Sequence, residues 1–267
     1  MGLLELKNLF SKHDTMDLDK ASPVNKNARG IPVPVKSGCS ACRDCENLCP
    51  TKAVRIISEN RIEFNYGSCL QCGICTEVCS DSVLKNSGFN YVFALNRDDL
   101  TVCFTEGEFT PAESEIPDNV KIFRELSGKR GFNYREVAAS GNNAVECELN
   151  ASFNSVFDSE GHQFRSVASP KHADAVVYSG PVGINMQGPL QTAWDCIPEP
   201  KALIAAGTEA VSGGVFEKGK TPKEPDLFIG GDPPRPDVMI NAFRFLSGVF
   251  PFSFQKELHS FLKSLRK

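Results

Sequence analysis

Two domains of different class are predicted: a small α+β domain built on cysteine-rich loops, then an α/β domain with an open, mainly parallel sheet. Three observations carry this. Eight of the eleven cysteines fall between residues 39 and 79. Three short apolar runs, ADAVVYSG (173–180), KALIAAG (201–207) and DLFIGG (226–231), each end in glycine. Helical stretches such as PLQTAWDCI and PDVMINAFRFLSG stand between and after them. A length of 267 residues suits about two such domains.

Composition narrows the function. The chain is 41% hydrophobic and 23% charged with a net charge of −4, whereas nucleic-acid binding normally needs a basic surplus. No stretch approaches the roughly 18–20 uninterrupted apolar residues of a membrane span, so no transmembrane segment of its own is expected. The start, MGLLELKNLF, lacks the basic region, longer apolar core and small-residue cleavage site of a secretory signal. A cytoplasmic protein is therefore expected, and in that reducing compartment a dense cysteine cluster reads as metal binding.

In order along the chain, residues 1–35 form an arm. It opens on an amphipathic segment (Leu3, Leu6, Phe10) and leads through GIPVPVKSG to the first cysteine. Residues 36–85 are the cysteine block. Residues 86–118 read as a connector, with strand-like NYVFAL and LTVCF followed by the polar TPAESEIPDN, and the domain boundary is placed near 118. In 119–267 the three apolar runs read as buried parallel strands, because they are apolar on both faces. Strand–helix alternation implies right-handed βαβ units and a flavodoxin-like sheet, with Pro236 suited to a first helical turn. The terminal FSFQKELHSFLKSLRK carries an apolar stripe of Phe254, Leu258, Phe261, Leu262 and Leu265. It is expected to dock as a helix on its own domain.

The cysteine block supplies the chemistry. Its runs are Cys39-x-x-Cys42-x-x-Cys45-x-x-x-Cys49-Pro50 and Cys69-x-x-Cys72-x-x-Cys75-x-x-x-Cys79. This is the bacterial ferredoxin spacing, in which the fourth cysteine of each run ligates the other cluster. A tight loop wraps three corners of a cubane, and a short helix carries the next cysteine toward the neighbour. Two 4Fe–4S clusters are expected, one on Cys39, Cys42, Cys45 and Cys79, the other on Cys69, Cys72, Cys75 and Cys49. Ser80 stands where proline is usual and removes no ligand. Zinc favours paired CxxC units, and disulfides suit an oxidising compartment; the doubled run fits neither as well. With four cysteines per cluster no ligand position stays open, so electron transfer is expected and no catalytic residue is assigned. Cys103, Cys147 and Cys196 are expected as ordinary buried residues.

The second half resembles the small, cluster-bearing subunit shared by complex I and the membrane-bound, energy-converting NiFe hydrogenases. NYREVAASGNNAVECE, SPKHADAVVYSGPV, IPEPKALIAAGTEAVSGGVF and DLFIGGDPPRPD occur in that family's order over about 133–246. The first half is similar to the two-cluster subunit of the same hydrogenases, including Arg29, Gly30 and Pro32 before the first cysteine. The resemblance implies partners: a hydrogenase-like large subunit, membrane-arm subunits and an electron donor protein. It implies a place on the inner face of the cell membrane, held peripherally through the complex. It also carries a departure. The family's four cluster cysteines align with Asn142, Val145, Glu209 and Asp232, and none is cysteine, so this half is expected to be a cluster-free docking domain. Glu209 and Asp232 with Glu146 or Glu148 offer a divalent-cation alternative, set against a solvated cavity without metal. An electron-transfer subunit of a hydrogenase-related complex is the leading expectation. A scaffold with a vestigial redox role, and a free-standing ferredoxin with an appended ligand- or partner-binding domain, are the alternatives.

Overall fold

In the computed structural model, which describes residues 15–112 and 114–265, local sequence pattern sets each element. The expected amphipathic segment at Leu3, Leu6 and Phe10 lies outside the described residues. Strand β1 (Pro32–Pro34) leads to the first cysteine loop and its one-turn helix α1 (Asp44–Asn47). The hairpin β2 (Val54–Ser58) and β3 (Arg61–Asn65) follows, then the second loop with α2 (Ile74–Glu77), and β4 (Leu84–Asn86) returns to pair with β1. In the hairpin Val54, Ile56, Ile62 and Phe64 alternate inward and are buried, while Arg55 and Arg61 face water. Gly30 shows why the Arg-Gly-x-Pro element needs glycine. Its φ is +62°, and a Cβ there would sit 2.4 Å from the Phe89 nitrogen.

Residues 86–118, expected as a connector, contribute a strand to each half. β5 (Phe93–Ala94) joins the large sheet and β6 (Thr101–Thr105) extends the hairpin to three strands. Helix α3 (Asp118–Arg130) then begins the α/β part. It continues with β7 (Phe132–Ala138), α4 (Ala144–Ala151), β8 (Phe164–Ser166), β9 (Ala175–Ser179), α5 (Ile184–Asp195), β10 (Ala202–Ala206), α6 (Thr208–Ser212), β11 (Leu227–Ile229) and α7 (Pro236–Leu246). The order across the sheet is β8-β7-β9-β10-β11-β5. The first five strands are parallel and only β5 runs against its neighbour. The three apolar runs read from the sequence are β9, β10 and β11, buried at every position. Taken in chain order the parallel strands lie 2-1-3-4-5, which puts a switch point between β7 and β9. Pro236 opens α7 as expected, and Phe243 of that helix packs on Phe132, Tyr134 and Phe164 at 5.4–5.7 Å between ring centroids.

The terminal helix α8 (Phe254–Leu265) docks differently from expectation. It buries Phe254, Leu258 and Leu262, and its ring and hydrogen-bond contacts run to the 86–118 segment and to Tyr66 of the cysteine domain. Phe254 meets Tyr66 at 5.6 Å and Phe89 at 6.2 Å, and His259 lies against Phe109 at 5.5 Å. Gln255, also buried, donates to the carbonyls of Asp99 and Thr101 and accepts from the Ala112 N–H. The apolar stripe was readable from spacing, but the partner surface depends on strands that sequence periodicity does not fix. Leu265, at the end of the stripe, is exposed.

Candidate metal centre

The two cysteine loops are built alike, thirty residues apart. Left-handed backbone recurs at matching places: Ala41 and Gln71 (φ 59° and 55°), Arg43 and Gly73 (66° and 84°), Lys52 and Ser82 (55° and 53°). Alternating right- and left-handed residues turns successive N–H groups to one side and makes a concave nest for anions. After each nest comes a one-turn helix, α1 or α2, carrying the third cysteine (Cys45, Cys75); the two helices pack against each other.

The thiols fall into two neighbourhoods. Burial first, then the thiols of Cys39, Cys79 and Cys42, push Cys45 up to about 12. Cys69 is likewise pushed up to about 12, by burial and then by Cys49 and Cys72, with the Gln71 N–H opposing. Cys75 is raised by burial, then by Cys69, Cys49 and Cys72, and more weakly by Cys45 across the gap between the sets. Cys49, Cys69, Cys72 and Cys75 line one cavity, walled by Pro32, Pro50, Val54 and Phe64. Cys42 is exposed, whereas Cys45 and Cys69 are buried.

Backbone and side-chain donors fix these loops. The Ala53 N–H donates to Cys49 Sγ at 3.2 Å and the Gln71 N–H to Cys69 Sγ at 3.4 Å. Asn60 Oδ1 accepts from the N–H groups of Gly38 (2.6 Å) and Cys39 (2.9 Å). Asp81 accepts from the N–H and hydroxyl of Ser40 at 2.8 and 2.7 Å, which hold its carboxyl below the usual range. Neither Asn60 nor Asp81 was singled out from sequence. Asn60 had a signal, because asparagine is favoured at left-handed hairpin turns and its φ is 56°.

The isolated cysteines depart from expectation. Cys147 and Cys196 are exposed, and Cys103 is half-buried with the Arg61 guanidinium donating to its sulfur at 3.4 Å. Cys147 falls on the outer face of α4, and Cys196 follows the last turn of α5. Their apolar neighbours in sequence face inward instead.

At the carboxyl end of the large sheet, Asn142 and Val145 follow β7, Glu209 follows β10 and Asp232 follows β11. Val145 and Glu209 pack closely against glycines here, while Gly141, Asn142 and Asn143 are exposed. A Cβ on Gly207 would lie 2.6 Å from Val145 Cγ2, one on Gly141 3.0 Å from Glu209 Oε2, and one on Gly214 3.1 Å from Glu209 Cγ. Burial, then the Asp232 carboxylate, raises the Glu209 carboxyl; the Asn142 N–H opposes and Glu146 adds weakly. Glu146 is itself buried and accepts the Ser179 hydroxyl. Among the described residues no group of three or more His, Cys, Asp or Glu side chains is placed to hold a single metal ion, at this edge or elsewhere. A cubane makes a different demand, since its four thiolates bind four separate irons.

Residues 38–84 match the family model of the 4Fe-4S dicluster domain, and residues 143–246 that of NADH ubiquinone oxidoreductase, 20 Kd subunit. A relative, an uncharacterized protein of Methanocaldococcus jannaschii, is 30% identical over 127 residues, covering 45% of this chain and 86% of that protein. The chain belongs to the 20 Kd subunit family. Formate hydrogenlyase subunit 7 of Escherichia coli is 34% identical over 128 residues, and the chain spans only half of its length. A probable membrane-bound hydrogenase subunit of Pyrococcus furiosus is 29% identical over 107 residues, 64% of that protein and 38% of this chain. In this member of the family a dicluster domain precedes the subunit domain, and its cofactors are two 4Fe–4S clusters. The loops suit them: crowded, half-buried thiols favour the proton when alone, and iron takes the proton's place. Among the described residues no helix is long and apolar enough to cross a membrane.

Proposed function

We propose that this chain is an electron-transfer subunit of a membrane-associated oxidoreductase complex related to complex I and the membrane-bound hydrogenases. Cys39, Cys42, Cys45 and Cys79 hold one 4Fe–4S cluster, and Cys69, Cys72, Cys75 and Cys49 the other. The observation that carries this reading is the division of the thiols: Cys45 has Cys39, Cys79 and Cys42 as neighbours, while Cys49 shares a cavity with Cys69, Cys72 and Cys75. When bound, the clusters supply reversible one-electron redox chemistry. The chain's own residues orient the loops through Asn60 and Asp81, turn backbone N–H groups toward the sulfurs, and exclude water behind Tyr66, Phe64 and Phe254.

The domain that follows is a cluster-free docking domain. Supporting this are the four non-cysteine residues at the family's ligand positions and the packing of Val145 and Glu209 into the space at the sheet edge. Its 2-1-3-4-5 strand order supports the flavodoxin-like reading. Beside this edge the chain exposes Ile184, Val215 and Phe216, an apolar surface suited to a large-subunit partner. A donor protein delivers electrons, membrane-arm subunits hold the assembly, and the chain sits peripherally on the cytoplasmic face. The organisation is an arm (1–35), a cluster domain (36–85), a linking segment (86–118) that serves both sheets, and the docking domain (119–267).

The test is iron and sulfide content of anaerobically purified protein, with EPR of the reduced form. About eight irons per chain and two interacting clusters are expected from the two-cubane reading. About twelve irons by the same arithmetic, or a third EPR species lost in Cys147→Ala, would overturn the cluster-free docking domain.

A further inference from the structure

The second cysteine loop is anchored by a residue that no cysteine pattern points to. Thr208, fully buried at the start of α6, donates its hydroxyl to the carbonyl of Cys69 at 3.1 Å. The same oxygen accepts from the Gly231 N–H at 3.1 Å, and the Thr208 N–H donates to the Gly231 carbonyl at 2.8 Å. One hydroxyl therefore ties the loop to the ends of β10 and β11 in a continuous chain of donors. Packing holds the loop to the same spot. A Cβ on Gly67 would meet Val211 Cγ1 at 3.0 Å, and one on Gly230 would meet the Tyr66 carbonyl oxygen at 3.2 Å. Cys69 itself is buried, so water does not replace the hydroxyl.

We propose that Thr208 is a positioning residue of the docking domain that sets the reduction potential of the cluster held on Cys69, Cys72, Cys75 and Cys49. This rests on the ligand assignment above. Reduction adds one negative charge to the cluster, and a buried O–H dipole directed at a ligand's own peptide favours the more negative state. Chained hydrogen bonds polarise one another, and low local dielectric strengthens the effect. The docking domain, with no cluster of its own, then still acts on electron transfer by tuning its neighbour.

The experiment is a potentiometric titration of the full chain followed by EPR, on wild type, Thr208→Val and Thr208→Ser. Valine keeps the shape and removes the donor. One midpoint is expected to move to more negative potential while the other stays, and serine is expected to restore the wild-type pair. Two clusters with unmoved midpoints in the valine variant overturn the proposal. So does an equal shift of both midpoints, which would report general loosening. If the valine variant does not keep both clusters, Thr208→Ala decides: a shift of one midpoint against an unshifted serine variant supports the role, and wild-type midpoints overturn it. A wild type with fewer than two clusters would instead fail the ligand assignment, and this inference with it.

Discussion

Replacing Phe254 with alanine removes the ring that holds the terminal helix against the cluster domain. The ring is 2% exposed and lies edge-on to Tyr66 and Phe89, at centroid distances of 5.6 and 6.2 Å. Truncating a buried phenylalanine costs about 3–5 kcal/mol, and paired rings push toward the upper end. We expect a loss of about 4 kcal/mol, a large share of a typical domain's 5–15 kcal/mol. The effect should reach both halves of the chain. Tyr66 immediately precedes the Cys69 loop and donates to the Pro32 carbonyl at 2.9 Å, while the single tryptophan, Trp194, sits on α5 far along the chain. Denaturant unfolding followed by cluster absorbance and by Trp194 fluorescence reads the two halves separately. Both transitions should fall together in Phe254→Ala. A loss below about 1 kcal/mol, well under the usual range for such truncations, or a shift in the cluster signal alone, would refute the clasp.

Two further perturbations test the site. Glu209→Gln should stabilise the folded chain at neutral pH: the folded carboxyl binds its proton more tightly than the unfolded one, so native stability falls as pH rises from about 4.5 through the raised value. Thermal unfolding against pH should be flatter for the glutamine variant above that pH, and an unchanged profile would count against the buried carboxyl. Asn60→Ala leaves the Gly38 and Cys39 N–H groups without their acceptor. It should cost about 0.5–1.5 kcal/mol, since water can reach these groups, and speed iron loss from the cluster on Cys39, read by chelator challenge, while the other cluster stays.

Much of this arrangement was legible in the sequence, for identifiable reasons. The cysteine spacing encodes a loop and a one-turn helix in each run, and both loops have that form; the exchanged fourth ligand is the assignment proposed above. The runs around Val177, Leu203 and Phe228 read as parallel strands because buried parallel strands are apolar on both faces. The strand character of NYVFAL, which holds Phe93 and Ala94, was legible, but its place in the large sheet was not, since a two-residue strand is positioned only by its pairing with Phe228 and Ile229. Arg43, Lys52 and Ser82 adopt left-handed backbone although their residue types do not announce it. Cys147 and Cys196 were read as buried from residue type alone, and helix orientation decided otherwise. Thr208 lies inside the segment IPEPKALIAAGTEAVSGGVF, but nothing in that segment points to Cys69; their hydrogen bond joins residues 139 apart in sequence.

The interleaving of β5 and α8 between the halves bears on how such a chain can be divided. A cut at residue 118 would leave β5 with the amino-terminal fragment and strip β11 of its antiparallel neighbour. The Phe228–Ile229 edge would then stand open, and an unpaired hydrophobic edge invites pairing with other chains. The same cut would carry Phe254 and Gln255 away from Tyr66, Asp99 and Thr101. Two fragments made that way would each lack a piece the other holds, so co-expression of both, rather than either alone, is the route to soluble halves.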